Sequence, residues 1–272
     1  PGPDTASFTI TAPSTAGSYN LKFTPYSNNS CGGQNGSEYT SGTVITVEAF
    51  SCTQPANTPP GLTLTCYCDN FARATLNPSP IFNSNWIVTT SDATGLLPRI
   101  VTPGRMQMTA NTGTNAKAAT VPGMFPGNGN YISVEFQHYA YPNVNGADGM
   151  SLVLSDATVP PVPGASGGSL GYAQKSGTNG FAGGWLGVGI DEFGNFSNGN
   201  EGRVGGTAAI KDSIAIRGSG TGVSGYPFLA GTALLSPGID TSVNPGPGYW
   251  YQLIVDARTG STGVSLNRNI GS

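Results

Sequence analysis

A chain of 272 residues has room for one large β domain or two smaller ones, and its formal charge of −3, with no cluster of Lys or Arg, argues against nucleic acid or an anionic membrane as partner. Gly (41) and Pro (21) are abundant, yet 37% hydrophobic residues, with 3 Trp, 11 Tyr and 11 Phe, exclude a disordered chain, which needs low hydrophobicity and high net charge. No run approaches the length of apolar sequence that crosses a bilayer, so no membrane insertion is expected.

Residues 1–52 contain three runs that alternate apolar and polar side chains, Ser7–Thr11, Ser18–Phe23 and Thr43–Val47. Alternation is the period of a half-buried strand. Pro13, Gly17, Asn28-Asn29 and Gly32-Gly33 punctuate them. Three strands are too few for a robust sandwich. They are read as the last strands of an immunoglobulin-like β domain, the alternative being that they pair directly with the larger domain C-terminal to them. The start at Pro1, without Met or a signal peptide, reads as a processed product or an excerpt.

Cys31, Cys52, Cys66 and Cys68 all fall in the first quarter of the chain. Cys66-x-Cys68 lacks a second Cys pair or a His pair to complete a zinc site, since His138 is the only histidine. Disulfides are expected instead, and with them an oxidising compartment; three pairings stay open. Residues 53–61, Thr-Gln-Pro-Ala-Asn-Thr-Pro-Pro-Gly, read as a short, stiff linker.

From 62 to 272, short β-rich runs recur between turn-rich spacers: Trp86–Thr90, Arg105–Thr109, Tyr131–Tyr139, Met150–Leu154, Trp185–Ile190, Ser213–Arg217, Trp250–Asp256 and Gly263–Leu266. Helical periodicity of useful length is absent. Many short strands with Gly/Pro turns predict an all-β sandwich or barrel.

Three segments carry chemistry. Gly146-Ala147-Asp148-Gly149-Met150 leads into the apolar run Ser151–Leu154, and Gly167-Gly168-Ser169-Leu170-Gly171-Tyr172 comes next. The third, Leu186–Asn195, reads Leu-Gly-Val-Gly-Ile-Asp-Glu-Phe-Gly-Asn. It places the Asp191 carboxylate, the Phe193 carbonyl and the Asn195 amide oxygen at i, i+2 and i+4. Mixed oxygen donors of this kind suit calcium, although Asp, Gly and Asn also dominate ordinary turns.

These three motifs, in this order and about 20 residues apart, resemble those of the L-type (legume-like) lectins. The run from Asp69-Asn70-Phe71 through Asn195-Phe196-Ser197-Asn198 and Glu201-Gly202-Arg203 is similar to the lectin-like domain of bacterial surface proteins, as in the Q-type family associated with mannose-sensitive haemagglutinin pili. The likeness covers about Asn70 to Ser272. It implies a concanavalin A-like jelly roll for 62–272, and a secreted or surface-exposed bacterial protein. Its partners would be a glycan of unknown identity and other segments or subunits of a surface or pilus assembly.

The resemblance also implies a sugar-binding triad of Asp148, Gly168 (or Gly167) and Asn195. The Asp accepts hydrogen bonds from two sugar hydroxyls, the Gly N–H donates, and the Asn amide donates while its oxygen faces calcium. The Ala147–Asp148 peptide bond would be cis. Phe193 is the candidate to carry the apolar face of the sugar, ahead of Tyr172 and Phe196. Calcium would be held by Asp191, Phe193, Asn195 and Glu201, with Asn200 the rival to Glu201. The segments Val159–Gly168 and Gly218–Gly231 would line the site.

Two departures from the family pattern stand out. Gly189 occupies the position of the Glu that serves a second, transition-metal site, which puts that site in doubt. Val134-Glu135-Phe136 resembles part of the metal motif, but Gln137 replaces its Asp and the order is wrong, so it reads as a sheet strand. The family continues for several strands beyond Val264–Arg268, which would then come from another segment or polypeptide. Retaining glycosidases need two carboxyls about 5–5.5 Å apart on one face. Asp191 and Glu192 are adjacent and would point to opposite faces, so no enzyme activity is expected. The competing reading is a structural surface module that binds no sugar.

Overall fold

The computed structural model describes residues 17–23, 39–47, 52–55, 57–91, 95–101, 104–244, 246 and 248–269. The chain divides into two units, Pro1–Thr53 and Gln54–Ser272. In the first, β1 (Gly17–Phe23) pairs antiparallel with β2 (Tyr39–Val47), with a register break between Asn20 and Lys22. The expected strand Ser7–Thr11 lies outside the described residues.

The second unit is all-β. Among the described residues its only helical pieces are single 3-10 turns. A short hairpin enclosed between two paired strands comes first. β3 (Ile87–Thr90) pairs with a later strand, β4 (Arg99–Val101) pairs with β5 (Arg105–Gln107), and β6 (Lys117–Thr120) is the partner of β3. Next come β7 (Tyr131–His138), β8 (Gly149–Ser155), β9 (Gly184–Asp191) and β10 (Ser213–Arg217). The small hairpin β11 (Gly220–Thr221) and β12 (Ser224–Gly225) precedes β13 (Phe228–Gly231). β14 (Tyr249–Asp256) and β15 (Gly263–Asn269) complete the unit.

The larger elements form two antiparallel sheets, β13-β10-β9-β8 and β15-β14-β7. Register explains how they meet. In the first sheet Ile190 lies between Met150 and Ile214, and Val188 between Leu152 and Ile216. In the second, Leu253 lies between Val134 and Leu266, and Val255 between Ile132 and Val264. These rows pack into one apolar core, so the two sheets lie face to face.

The reverse face of the four-stranded sheet carries a second core of Leu170, Tyr172, Ala173, Phe181, Phe196, Ala215 and Tyr226. β9 serves both. Leu186, Val188 and Ile190 point into the first core, whereas Gly187 and Gly189 lie beneath the rings of Tyr172 and Phe196. A Cβ at either glycine would collide with the ring above it. The Leu-Gly-Val-Gly-Ile run is thus a strand with a bulky face and a bare one.

Val134-Glu135-Phe136 lies within β7 and is an ordinary strand. The segment Gly218–Gly231, expected to line the site, forms the β11–β12 hairpin followed by β13, the outer strand of its sheet. Within the expected stiff linker 53–61, one side chain has a tertiary partner. Asn57 and Gln252 of β14 form a reciprocal amide pair, with Asn57 Nδ2 donating to Gln252 Oε1 at 2.6 Å and Gln252 Nε2 donating to Asn57 Oδ1 at 2.9 Å. Cys52 and Cys68 form a disulfide. Cys66 is a free thiol, and Cys31 lies outside the described residues.

Candidate functional site

Three loops converge at one end of the four-stranded sheet. The Ala147–Asp148 peptide bond is cis, and β8 begins at the next residue. Hydrogen bonds from Glu192 N (3.0 Å) and Phe193 N (3.4 Å) to the Asp148 carbonyl tie that loop to the end of β9. Gly167–Ser169 is a single 3-10 turn in the β8–β9 connection. Its closeness to the third loop is shown by Gly168, where a Cβ would run into the side chain of Asn195. A Cβ on Gly167 would sit 3.0 Å from Lys175 Nζ and 3.6 Å from Asp148 Oδ2. Asp148, Gly167-Gly168 and Asn195, distant in sequence, therefore surround one place.

Asp191 ends β9 and organises the third loop. Its side chain is fully buried, with Oδ1 accepting from Gly194 N at 2.7 Å and Oδ2 from Phe196 N at 2.6 Å. Gly194 takes φ +105°, where a Cβ would strike the backbone at Ile210 and Lys211. Burial pushes the Asp191 carboxyl up to about 6. Glu192 is pushed up further, to about 7, by burial and then by the charges of Asp240, Asp212, Asp191 and Asp148. Burial also raises Asp148, partly offset by the Lys175 charge.

Asn195 and Asn198 hold each other through the bond from Asn198 Nδ2 to Asn195 Oδ1 at 3.1 Å. The oxygen of the Asn195 amide is thereby occupied, and its Nδ2 lies on the Gly168 side. Glu201, at φ +56°, accepts from both neighbouring cations: Lys175 Nζ is 3.2 Å from Oε1 and Arg203 Nη1 is 3.0 Å from Oε2. Burial opposes ionisation of Glu201, but those hydrogen bonds hold its carboxyl below the ordinary range. Asn200 precedes it in the same 3-10 turn, and its N–H donates to Asn198 Oδ1 at 3.0 Å.

Of the aromatics expected to meet sugar, Phe193 is 54% exposed on this loop. Tyr172 and Phe196 are fully buried in the second core, against Gly187 and Gly189, and cannot offer a ring face to a ligand. Val159–Gly168 leads into the Gly167–Ser169 turn. Gly218–Gly231 contributes Tyr226 to the buried core beside it.

Calcium takes six to eight oxygens at about 2.3–2.6 Å, and the expected side-chain donors already face N–H groups or cations. Both Asp191 oxygens accept backbone N–H groups, the Asn195 oxygen accepts from Asn198, and Glu201 is paired with two cations. Two buried guanidinium groups, Arg203 and Arg217, stand in the same loop system. As arranged, this donor set does not fit a divalent cation. Among the described residues no group of three or more His, Cys, Asp and Glu side chains is placed to hold a metal ion.

Sequence reasoning missed the cations. Arg203 entered only as part of Glu-Gly-Arg, and Arg217 only as the end of a strand. The available signal was the pattern Ser213-Ile-Ala-Ile-Arg217, where a charge comes after two small residues on one strand face. Such a residue must be buried with a full set of acceptors. No family model matches the chain, and no curated protein matches it.

Proposed function

We propose that the second unit is a carbohydrate-binding module, a lectin or adhesin, of a secreted or surface-exposed bacterial protein. The observation that carries the reading is the convergence of Asp148, Gly167-Gly168 and Asn195 from three separate loops. The face-to-face sheets support it, and with it a concanavalin A-like jelly roll. The Cys52–Cys68 disulfide favours an oxidising, extracytoplasmic location.

Each group has a role that its chemistry suits. The Asp148 carboxylate accepts from two sugar hydroxyls, a glycine N–H donates where no side chain blocks approach, and Asn195 Nδ2 donates to a sugar oxygen. Phe193, the exposed ring on the loop, covers the apolar face of the sugar. No covalent step is part of the proposal. Calcium is left out of it because the Asp191, Asn195 and Glu201 side chains are already engaged.

A glycan array on the intact chain supplies the test. A hit whose affinity falls at least tenfold in Asp148→Asn, and holds in the exposed control Asp156→Asn, supports the reading. Hydrogen bonds to a charged group contribute about 1.5–3 kcal/mol each, which sets that magnitude. No hit, or equal affinity in the two variants, favours a surface module that makes protein contacts without sugar.

A further inference from the structure

Arg217 is wholly buried, and all five of its N–H donors have acceptors. Nε donates to Phe196 O at 2.9 Å. Nη1 donates to Val204 O and Tyr226 O, both at 2.9 Å. Nη2 donates to Asn198 O at 2.7 Å and to Gly205 O at 3.4 Å. Four of these five carbonyls belong to the stretch 196–205. Carbonyl oxygens of one loop therefore converge on a fixed positive charge, as they would around a bound cation.

Arg203, 3% exposed, completes the arrangement on the ligand side. Nη2 donates to Asn198 Oδ1 at 3.0 Å, and Nε to Asn198 O at 3.4 Å. Nη1 reaches Ser169 Oγ at 3.1 Å and Glu201 Oε2 at 3.0 Å. One side chain thus ties the Gly167–Ser169 turn to the Asn195–Gly202 loop. It also sets an amide: with Asn198 Oδ1 bonded to Arg203, Asn198 Nδ2 must face Asn195 Oδ1, and Asn195 Nδ2 is left on the Gly168 side.

We infer that Arg203 and Arg217 are positioning residues that do in this chain what a divalent cation would do, so that the loop 191–206 is ordered without metal. The two guanidinium charges answer Asp191 and Glu201 within the same loops. A cation entering there would meet two like charges in a poorly solvated place, where repulsion is costly. Arg suits the role better than Lys because its planar fork carries five donors in fixed directions. The link from Asn195 Nδ2 to ligand rests on the carbohydrate-binding reading; the ordering of the loop does not.

The experiment therefore uses the full chain without sugar. Melting and amide hydrogen exchange are measured in excess calcium and in EDTA, for the wild type and for Arg203→Gln. A calcium site filled at a hundred times its Kd would raise the Tm by roughly 5–10 °C. The wild type is expected to show no such difference, and the same exchange over 191–206 in both conditions. Arg203→Gln is expected to speed exchange in that segment about tenfold or more while β14 stays protected. Val255→Ala, a core truncation, serves as the control that lowers global stability without loosening the loop selectively.

Chelator-sensitive melting or loop exchange in the wild type would overturn the inference in favour of metal. So would an unchanged loop in Arg203→Gln. If Arg203→Gln fails to fold, the wild-type comparison still decides between metal and arginine. Loss of the sugar reading on the glycan array leaves this result standing, and the reverse holds too.

Discussion

At the residue scale, Gly189 shows how one position can be read in two ways. In the family pattern that the sequence resembles, its place belongs to a metal-site Glu. In the structure it has a packing reason, because the Phe196 ring lies where a Cβ would go. The partner ring could not be foreseen, since nothing local in the sequence points Phe196 back onto β9. Gly189→Ala should destabilise the second unit by about 1–3 kcal/mol through overpacking, read as a lower urea midpoint with an unchanged m-value. Phe196→Leu introduced alongside should recover part of that loss. Additive losses in the double variant would show that ring and glycine are not in conflict.

At the scale of elements, strands were legible wherever one face is buried. Ser213–Arg217 coincides with β10, and Tyr131–Tyr139 and Trp250–Asp256 match β7 and β14 within a residue. What escaped were short, Gly-bearing or polar strands such as β6 and β11 to β13, whose pairing is decided by distant partners. The site loops were legible as motifs, and a shared place for Asp148, Gly168 and Asn195 was what the family resemblance implied. Their electrostatics were not, because Lys175, Arg203 and the Glu192 surroundings depend on contacts remote in sequence.

Those electrostatics give the loop a pH signature. Asp191 and Glu192 have folded values of about 6 and about 7, above their ordinary 3.8 and 4.5. For acids raised on folding, the folded state holds the proton more tightly. Their stabilising contribution is full below the ordinary values and is lost as pH rises through about 6 and 7. The Tm should accordingly be higher near pH 5 than near pH 8, and Glu192→Gln should flatten much of that slope. A Tm that climbs from acid to neutral pH would count against these assignments. On the carbohydrate-binding reading, sugar affinity should move the opposite way, because the ionised Asp148 carboxylate accepts hydrogen bonds with charge assistance whereas protonation turns one of its oxygens into a donor, and burial raises its carboxyl.

At the scale of the whole molecule, the cysteines decide how the chain behaves under reduction. Sequence left three full pairings of the four cysteines open; Cys52–Cys68 is bonded and Cys66 is free, so none of the three forms in full. Closing a loop of about 15 residues stabilises a fold by about 3 kcal/mol in the chain-entropy picture. Reduction should then lower the Tm by roughly 6–12 °C in a unit of this size. Reduction acts on every bridge at once, so the assignment needs the single variants. Cys52→Ser and Cys68→Ser should each reproduce the effect of reduction, and the double variant should add little, since both remove the same bond. Cys66→Ser should leave the Tm nearly unchanged, because its thiol is free, and that thiol should react with iodoacetamide without prior reduction. Peptide mapping of the unreduced protein should recover the segments around Cys52 and Cys68 cross-linked. A cross-link that includes Cys66 in its place would reject the pairing and restore the choice that composition alone could not make.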